Sequence, residues 1–128
     1  MRVVACRRGV RITPAMLPAK EVKAPRVLLV TGTYPDAETF NTDFAALSPE
    51  LLDWLADRGV CLVGLDTPSV DLFDSKDLPS HQSALRRDLA ILEGLVLEGV
   101  EEGMYELIAL PLKLEGFDAS PVRAVLRR

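Results

Sequence analysis

The chain's one histidine, His81, and a carboxylate twelve residues later, Glu93, form the pair with the clearest chemical potential. An imidazole nitrogen and a carboxylate oxygen are donor types that hold borderline divalent cations such as Zn²⁺. His81 falls near the start of a predicted helix and Glu93 on the strand that follows it. A helix that packs back against its own following strand brings its first turn near that strand's end, where the two groups would converge. The same spacing also suits a solvated or capping histidine and a strand-end surface charge. Two donors fall short of the three or four a bound zinc needs, so spacing alone leaves both readings open.

The remaining candidates are weaker. Thr31-Gly32-Thr33 follows a predicted strand, but no Gly-Lys-Ser/Thr comes after it, which excludes a phosphate loop of that type. Ser69 and Ser120 have no base other than His81, so a serine nucleophile has little support. Asp66-Thr-Pro-Ser69-Val-Asp71 is a rigid polar turn at the carboxyl end of a strand, where ligands gather in α/β folds. Asp66 and Ser69 serve equally well there as acceptors for turn amides. Asp71, Asp74 and Asp77 read as a charged loop rather than a carboxylate cluster. Cys6 and Cys61 lack the close pairing of zinc ribbons and redox motifs and read as reduced, small apolar residues.

The elements that must position these residues follow from apolar pattern and punctuation. Val3-Val4-Ala5 and Val10-Arg11-Ile12 are short β-like pieces, and Thr13-Pro14 opens a predicted helix closed by Pro25. Arg26–Val30 is a buried strand, and Thr31–Asn41 an exposed loop. The clearest helix is Pro49–Arg58, capped by Ser48 and left through Gly59, with Leu51, Leu52 and Leu55 on one face. A strand over Val60–Leu65 follows. A second helix runs from about Leu78 or Ser80 to Asp88, with Ser80 able to cap it, and Leu89–Leu92 returns to strand. Tyr105–Leu114 is a long strand with Pro111 marking an edge or bend, and Val122–Leu126 is the last. This pattern is one α/β domain, richer in strand toward its end.

Composition narrows the partners. Lys+Arg number 15 against 19 Asp+Glu, giving −4, a poor basis for binding a phosphate backbone. The longest apolar runs, such as Val27–Val30, are far below the ~20 residues of a membrane span. The opening Met1-Arg-Val-Val-Ala-Cys-Arg-Arg lacks an apolar core and a cleavage site, so a cytoplasmic location is expected.

Several blocks, in order, resemble the bacterial kynurenine formamidases (arylformamidases) of the metal-dependent cyclase family. They are Gly59-Val-Cys-Leu-Val-Gly-Leu-Asp-Thr-Pro-Ser-Val-Asp71, Ser80-His81, and Ala90-Ile-Leu-Glu-Gly-Leu-Val-Leu97. Gly103-Met-Tyr-Glu-Leu-Ile-Ala-Leu-Pro-Leu-Lys-Leu114 and Asp118-Ala-Ser-Pro-Val-Arg-Ala-Val-Leu126 continue the series. The resemblance implies an α/β fold with a mixed barrel-like β-sheet and flanking helices, incomplete at its N-terminal side, residues 1–128 forming a single partial domain. It implies a two-zinc site that hydrolyses the formamide of N-formyl-L-kynurenine to L-kynurenine and formate in tryptophan catabolism. It places His81 and Glu93 on the family's two late metal ligands and implies a homodimer. The family's early motif, His-x-Gly-Thr-His-x-Asp-Ala-Pro-x-His, which supplies most ligands and the acid–base histidine, has no counterpart here. The chain thus resembles roughly the C-terminal 60% of the enzyme, and no catalytic residue or substrate contact is assigned within it. Two expectations follow: a metal-dependent amide hydrolase whose site is incomplete in this chain, or a non-catalytic remnant or partner subunit that associates through an exposed sheet edge.

Overall fold

The computed structural model describes residues 1–18 and 22–128. In chain order its elements are β1 (Arg2–Val3), β2 (Arg11–Ile12), a 3-10 turn (Pro14–Met16), β3 (Arg26–Val30), β4 (Ala46–Leu47) and α1 (Pro49–Ala56). They continue with β5 (Leu62–Leu65), α2 (Pro79–Arg86), β6 (Ala90–Leu92), β7 (Glu106–Ala109) and β8 (Ala124–Arg127). The main sheet has the order β1-β3-β5-β6, and every neighbouring pair in it is parallel.

Parallel neighbours need a crossover, and α1 joins β3 to β5 while α2 joins β5 to β6. The central strands are therefore covered, and Leu28, Leu29, Val63 and Leu65 are buried. All strands of this sheet run the same way, so the residues leaving β3, β5 and β6 gather at one edge: Thr31, Asp66 and Glu93. Parallel β2 and β4 form a second, two-stranded sheet. The third pairs β7 with β8 antiparallel, Ile108 opposite Val125, and among the described residues it shares no ladder with the other two. Leu110, Leu112 and Phe117 in its connection are exposed.

The helix α1 forms from local signals. The Ser48 side chain accepts from the Leu51 amide at 3.1 Å, Pro49 occupies the first turn, and Glu50 complements the positive helix end. Gly59 leaves it with a φ of +79°, a left-handed conformation that favours glycine. Leu51, Leu52 and Leu55 are fully buried beneath it. Because Ser48 is itself buried, Ser48→Ala is expected to cost about 1 kcal/mol in urea unfolding. A loss below about 0.3 kcal/mol would show that the cap contributes nothing that water cannot replace.

Prolines explain where elements stop short of expectation. The helix opening at Thr13-Pro14 ends after one 3-10 turn, and the Thr13 side chain makes no cap. Pro18 disfavours helical backbone at Leu17, which is extended at φ −114°, ψ 129°. Of the rest of that expected helix, residues 19–21 lie outside the described residues, and residues 22–24 are not helical. The expected strand Tyr105–Leu114 is confined to β7, since Pro111 has no amide to continue a ladder. Within Thr31–Asn41, Thr31 and Thr33 are buried, with the Thr33 hydroxyl accepting from Ala45 N at 2.9 Å.

Gly64 on β5 sits opposite Leu28 and Leu92. A Cβ there would come within 2.5 Å of Leu28 Cδ2 and 2.8 Å of Leu95 Cδ1, so these leucine ends occupy the space a side chain would take. Among the described residues, no helix is long and apolar enough to cross a membrane.

Candidate functional site

The helix α2 begins awkwardly. Leu78 precedes Pro79 in the left-handed region at φ 44° and offers no side-chain cap. Ser80, expected as the cap, lies inside the first turn instead, buried, with its hydroxyl donating to Leu47 O at 2.7 Å. The first-turn amides still need an acceptor. Asp71 supplies it from the loop after β5: its carboxylate accepts from Ser80 N at 3.1 Å and His81 N at 3.0 Å. A carboxylate at a helix N-terminus also meets the positive end of the helix dipole.

The same carboxylate reaches the imidazole. Asp71 Oδ2 lies 2.9 Å from His81 Nδ1, and Oδ1 accepts from Arg11 Nη1 on β2 at 2.8 Å. Arg11 Nη1 also donates to Leu47 O at 2.8 Å and to the Ser80 hydroxyl at 2.9 Å. The Asp71 side chain is 0% exposed. Burial alone would raise its pKa. Hydrogen bonds from His81, Arg11 and the Ser80 amide outweigh burial and hold the carboxyl at about 2.

This shift makes a prediction about acid stability. A folded-state pKa below the unfolded value adds stability that is complete above about pH 4 and lost as pH falls from there through about 2. The span corresponds to about 2 kcal/mol. Urea unfolding of the metal-free chain between pH 6 and pH 2 is expected to show that loss, and Asp71→Asn is expected to flatten it. An unchanged acid limb in the variant would assign the loss to other carboxylates.

On the opposite edge of the ring, His81 Nε2 lies 3.4 Å from Glu93 Oε1. Glu93 directly follows β6, and the turn after it is pinned: Val70 N donates to Glu93 Oε1 at 2.8 Å and Gly94 N to Thr67 O at 2.8 Å. The His81 and Glu93 side chains are 34% and 29% exposed, so each is partly accessible to solvent. A bare Nε2 and a carboxylate oxygen facing each other repel, and a proton on Nε2 or a bound cation between them turns that repulsion into attraction. Two donors that share a tetrahedral Zn²⁺ at ~2.0–2.1 Å lie about 3.4 Å apart, so the observed separation fits a ligand pair. Among the described residues, no group of three or more His, Cys, Asp or Glu is arranged to hold a metal ion.

The structure thus brings His81 and Glu93 together, as the fold-back of a helix onto its following strand suggests. Asp71 is the residue the charged-loop reading misplaces: it is buried, while Asp74 and Asp77 are exposed. The available signal was α2 itself, a helix opening at Pro79 behind a leucine that cannot cap it. Asp66 accepts from Thr31 N and Gly32 N, and the Ser69 hydroxyl accepts from Asp71 N, so both stabilise turns. Ser120 accepts from Leu112 N within the β7–β8 connection. Cys6 and Cys61 are free thiols.

The Cyclase family model matches residues 3–72 of the chain. Among curated relatives, the kynurenine formamidase of Bordetella petrii is 55% identical over 103 residues, which are 80% of this chain and 49% of the relative. That of Bordetella pertussis is 53% identical over 103 residues, with the same coverage. The chain spans about half the length of the curated relatives it matches. Among solved structures, a "potential metal-dependent hydrolase with cyclase activity" superposes with a TM-score of 0.76 at 33% identity, covering 91% of this chain and 57% of that one. A "predicted metal-dependent hydrolase from Bacillus stearothermophilus" gives 0.69 at 32% identity, covering 77% and 47%.

Proposed function

The chain belongs to the Cyclase family, and on that premise we propose that it supplies two cation ligands, His81 and Glu93, to a metal-dependent amide hydrolase. The observation that carries the reading is the 3.4 Å approach of His81 Nε2 to Glu93 Oε1, a spacing suited to two ligands on one cation. The cation is proposed to be zinc and the substrate N-formyl-L-kynurenine, cleaved to L-kynurenine and formate. The similarity to the Bordetella kynurenine formamidases supports that choice of substrate. When bound, such a cation lowers the pKa of a coordinated water toward ~7 and polarises the carbonyl to be attacked.

The chain's own contribution is to present one imidazole nitrogen and one carboxylate oxygen at a partly exposed edge of the sheet. Two protein donors do not fix a catalytic coordination sphere, so the remaining ligands are proposed to lie outside the described residues. The proposed setting is the cytoplasm, which the free thiols Cys6 and Cys61 support.

Calorimetric titration of the chain with Zn²⁺ is expected to show one cation per chain. His81→Ala and Glu93→Gln are each expected to weaken binding at least tenfold. Equal binding by both variants would overturn the assignment. N-formyl-L-kynurenine hydrolysis by these 128 residues with added Zn²⁺ is expected to stay at background, and turnover that survives His81→Ala would refute the proposed ligand role.

A second reading is association between copies of the chain as a homodimer. It is supported by the β7–β8 pair, which leaves Ile108, Leu110, Leu112 and Val125 exposed. Light scattering is expected to report a dimer, and a stable monomer at tens of micromolar would count against it.

A further inference from the structure

We propose that Arg11 and Asp71 are positioning residues of the cation site: Arg11 clamps Asp71, and Asp71 fixes the His81 ring with its proton on Nδ1 and its Nε2 lone pair aimed at Glu93. The inference rests on the reading of His81 and Glu93 as a ligand pair. An ionised carboxylate can only accept, so the 2.9 Å contact of Asp71 Oδ2 with His81 Nδ1 requires the hydrogen to be on that nitrogen. In the neutral ring, Nε2 is then the bare nitrogen, and it is the one facing Glu93 at 3.4 Å.

The rest of the network leaves Asp71 little freedom to turn. Oδ1 is held by Arg11 from β2, and the Ser80 and His81 amides hold the carboxylate against the start of α2. Arg11 is fixed in turn by Leu47 O at the end of β4 and by the Ser80 hydroxyl. The ring orientation is therefore set by three separate elements before any cation arrives. A carboxylate behind a ligating imidazole orients the ring and raises its basicity, and losing such a partner typically weakens metal binding ~10–100-fold.

Because the chain has one histidine, the test is direct. In the metal-free, ¹⁵N-histidine-labelled chain, at a pH where the ring is neutral, long-range ¹H–¹⁵N spectra are expected to show hydrogen on Nδ1 and a bare Nε2. An Nε2–H ring in the wild-type chain would overturn the proposal without any variant having to fold. Asp71→Asn places an amide donor against Nδ1 and is expected to switch the ring to the Nε2–H form. Arg11→Met, with Arg11→Lys as a variant that keeps the charge, is expected to weaken Zn²⁺ binding by about 10-fold or more in calorimetry while far-ultraviolet dichroism stays native. Unchanged affinity in a folded Arg11→Met chain would remove Arg11 from the proposal. Should the wild-type chain bind no Zn²⁺ while its ring carries hydrogen on Nδ1, the ligand reading falls and the positioning of the ring by Asp71 stands.

Discussion

Asp71→Ala is expected to cost about 3–5 kcal/mol of folding stability, the range for breaking a buried, hydrogen-bonded charge pair by removing one partner. The substitution takes away the acceptor for Arg11 Nη1, Ser80 N, His81 N and His81 Nδ1 at once. The Arg11 side chain is only 23% exposed, so its charge would lose its counter-ion where water cannot fully replace it. The start of α2 would lose its distant cap, leaving first-turn amides without a partner. Asp71→Asn keeps the shape and one acceptor oxygen and is expected to lose roughly half as much. Urea midpoints for the three proteins at pH 7 decide the matter. A loss below about 1 kcal/mol for Asp71→Ala would mean that water fills the carboxylate's place and that the network contributes little to folding.

The second large effect lies beneath the site rather than in it. Leu55→Ala in α1 is expected to cost about 2–5 kcal/mol, from lost burial and from the cavity left behind. Leu55 is fully buried among a cluster that includes Leu51, Leu52, Val60, Val63 and Ala84. Ala84 belongs to α2, and Asp53 on α1 accepts from the Ser83 hydroxyl of α2 at 2.9 Å, so the two helices pack directly against each other. Leu85→Ala is the matched control, since that side chain on α2 is 84% exposed and its loss is expected to stay within about 0.5 kcal/mol. Equal losses at the two positions, read from denaturant midpoints with unchanged slopes, would contradict the packing described above.

The elements legible in the sequence were those whose determinants lie within a few residues of each other. Ser48, Pro49, Glu50 and Gly59 announce α1, and Val27–Val30 between Pro25 and Gly32 announces β3. Family membership was legible in the ordered blocks from Gly59 onward. The approach of His81 to Glu93 was legible as well, because it needs only one helix and the strand after it. Arg11 and Asp71 were not, since 60 residues separate them and neither looks unusual in its own segment. A buried ion pair is a property of the folded arrangement, and only the missing cap before Pro79 hints at it. Element boundaries slipped for a simpler reason: Pro18 and Pro111 end structure that the apolar pattern alone would extend.

The bare backbone at residue 64 has a bearing on where the turn after β6 rests. Leu95, which fills the room above it, comes two residues after Glu93 in the same pinned turn. A methyl group at 64 would have to displace the side-chain ends of Leu28 and Leu95, the latter held beside β5 by the hydrogen bond from its amide to Leu65 O. The turn that carries Glu93 thus packs onto β5 through space that a residue without a side chain leaves free.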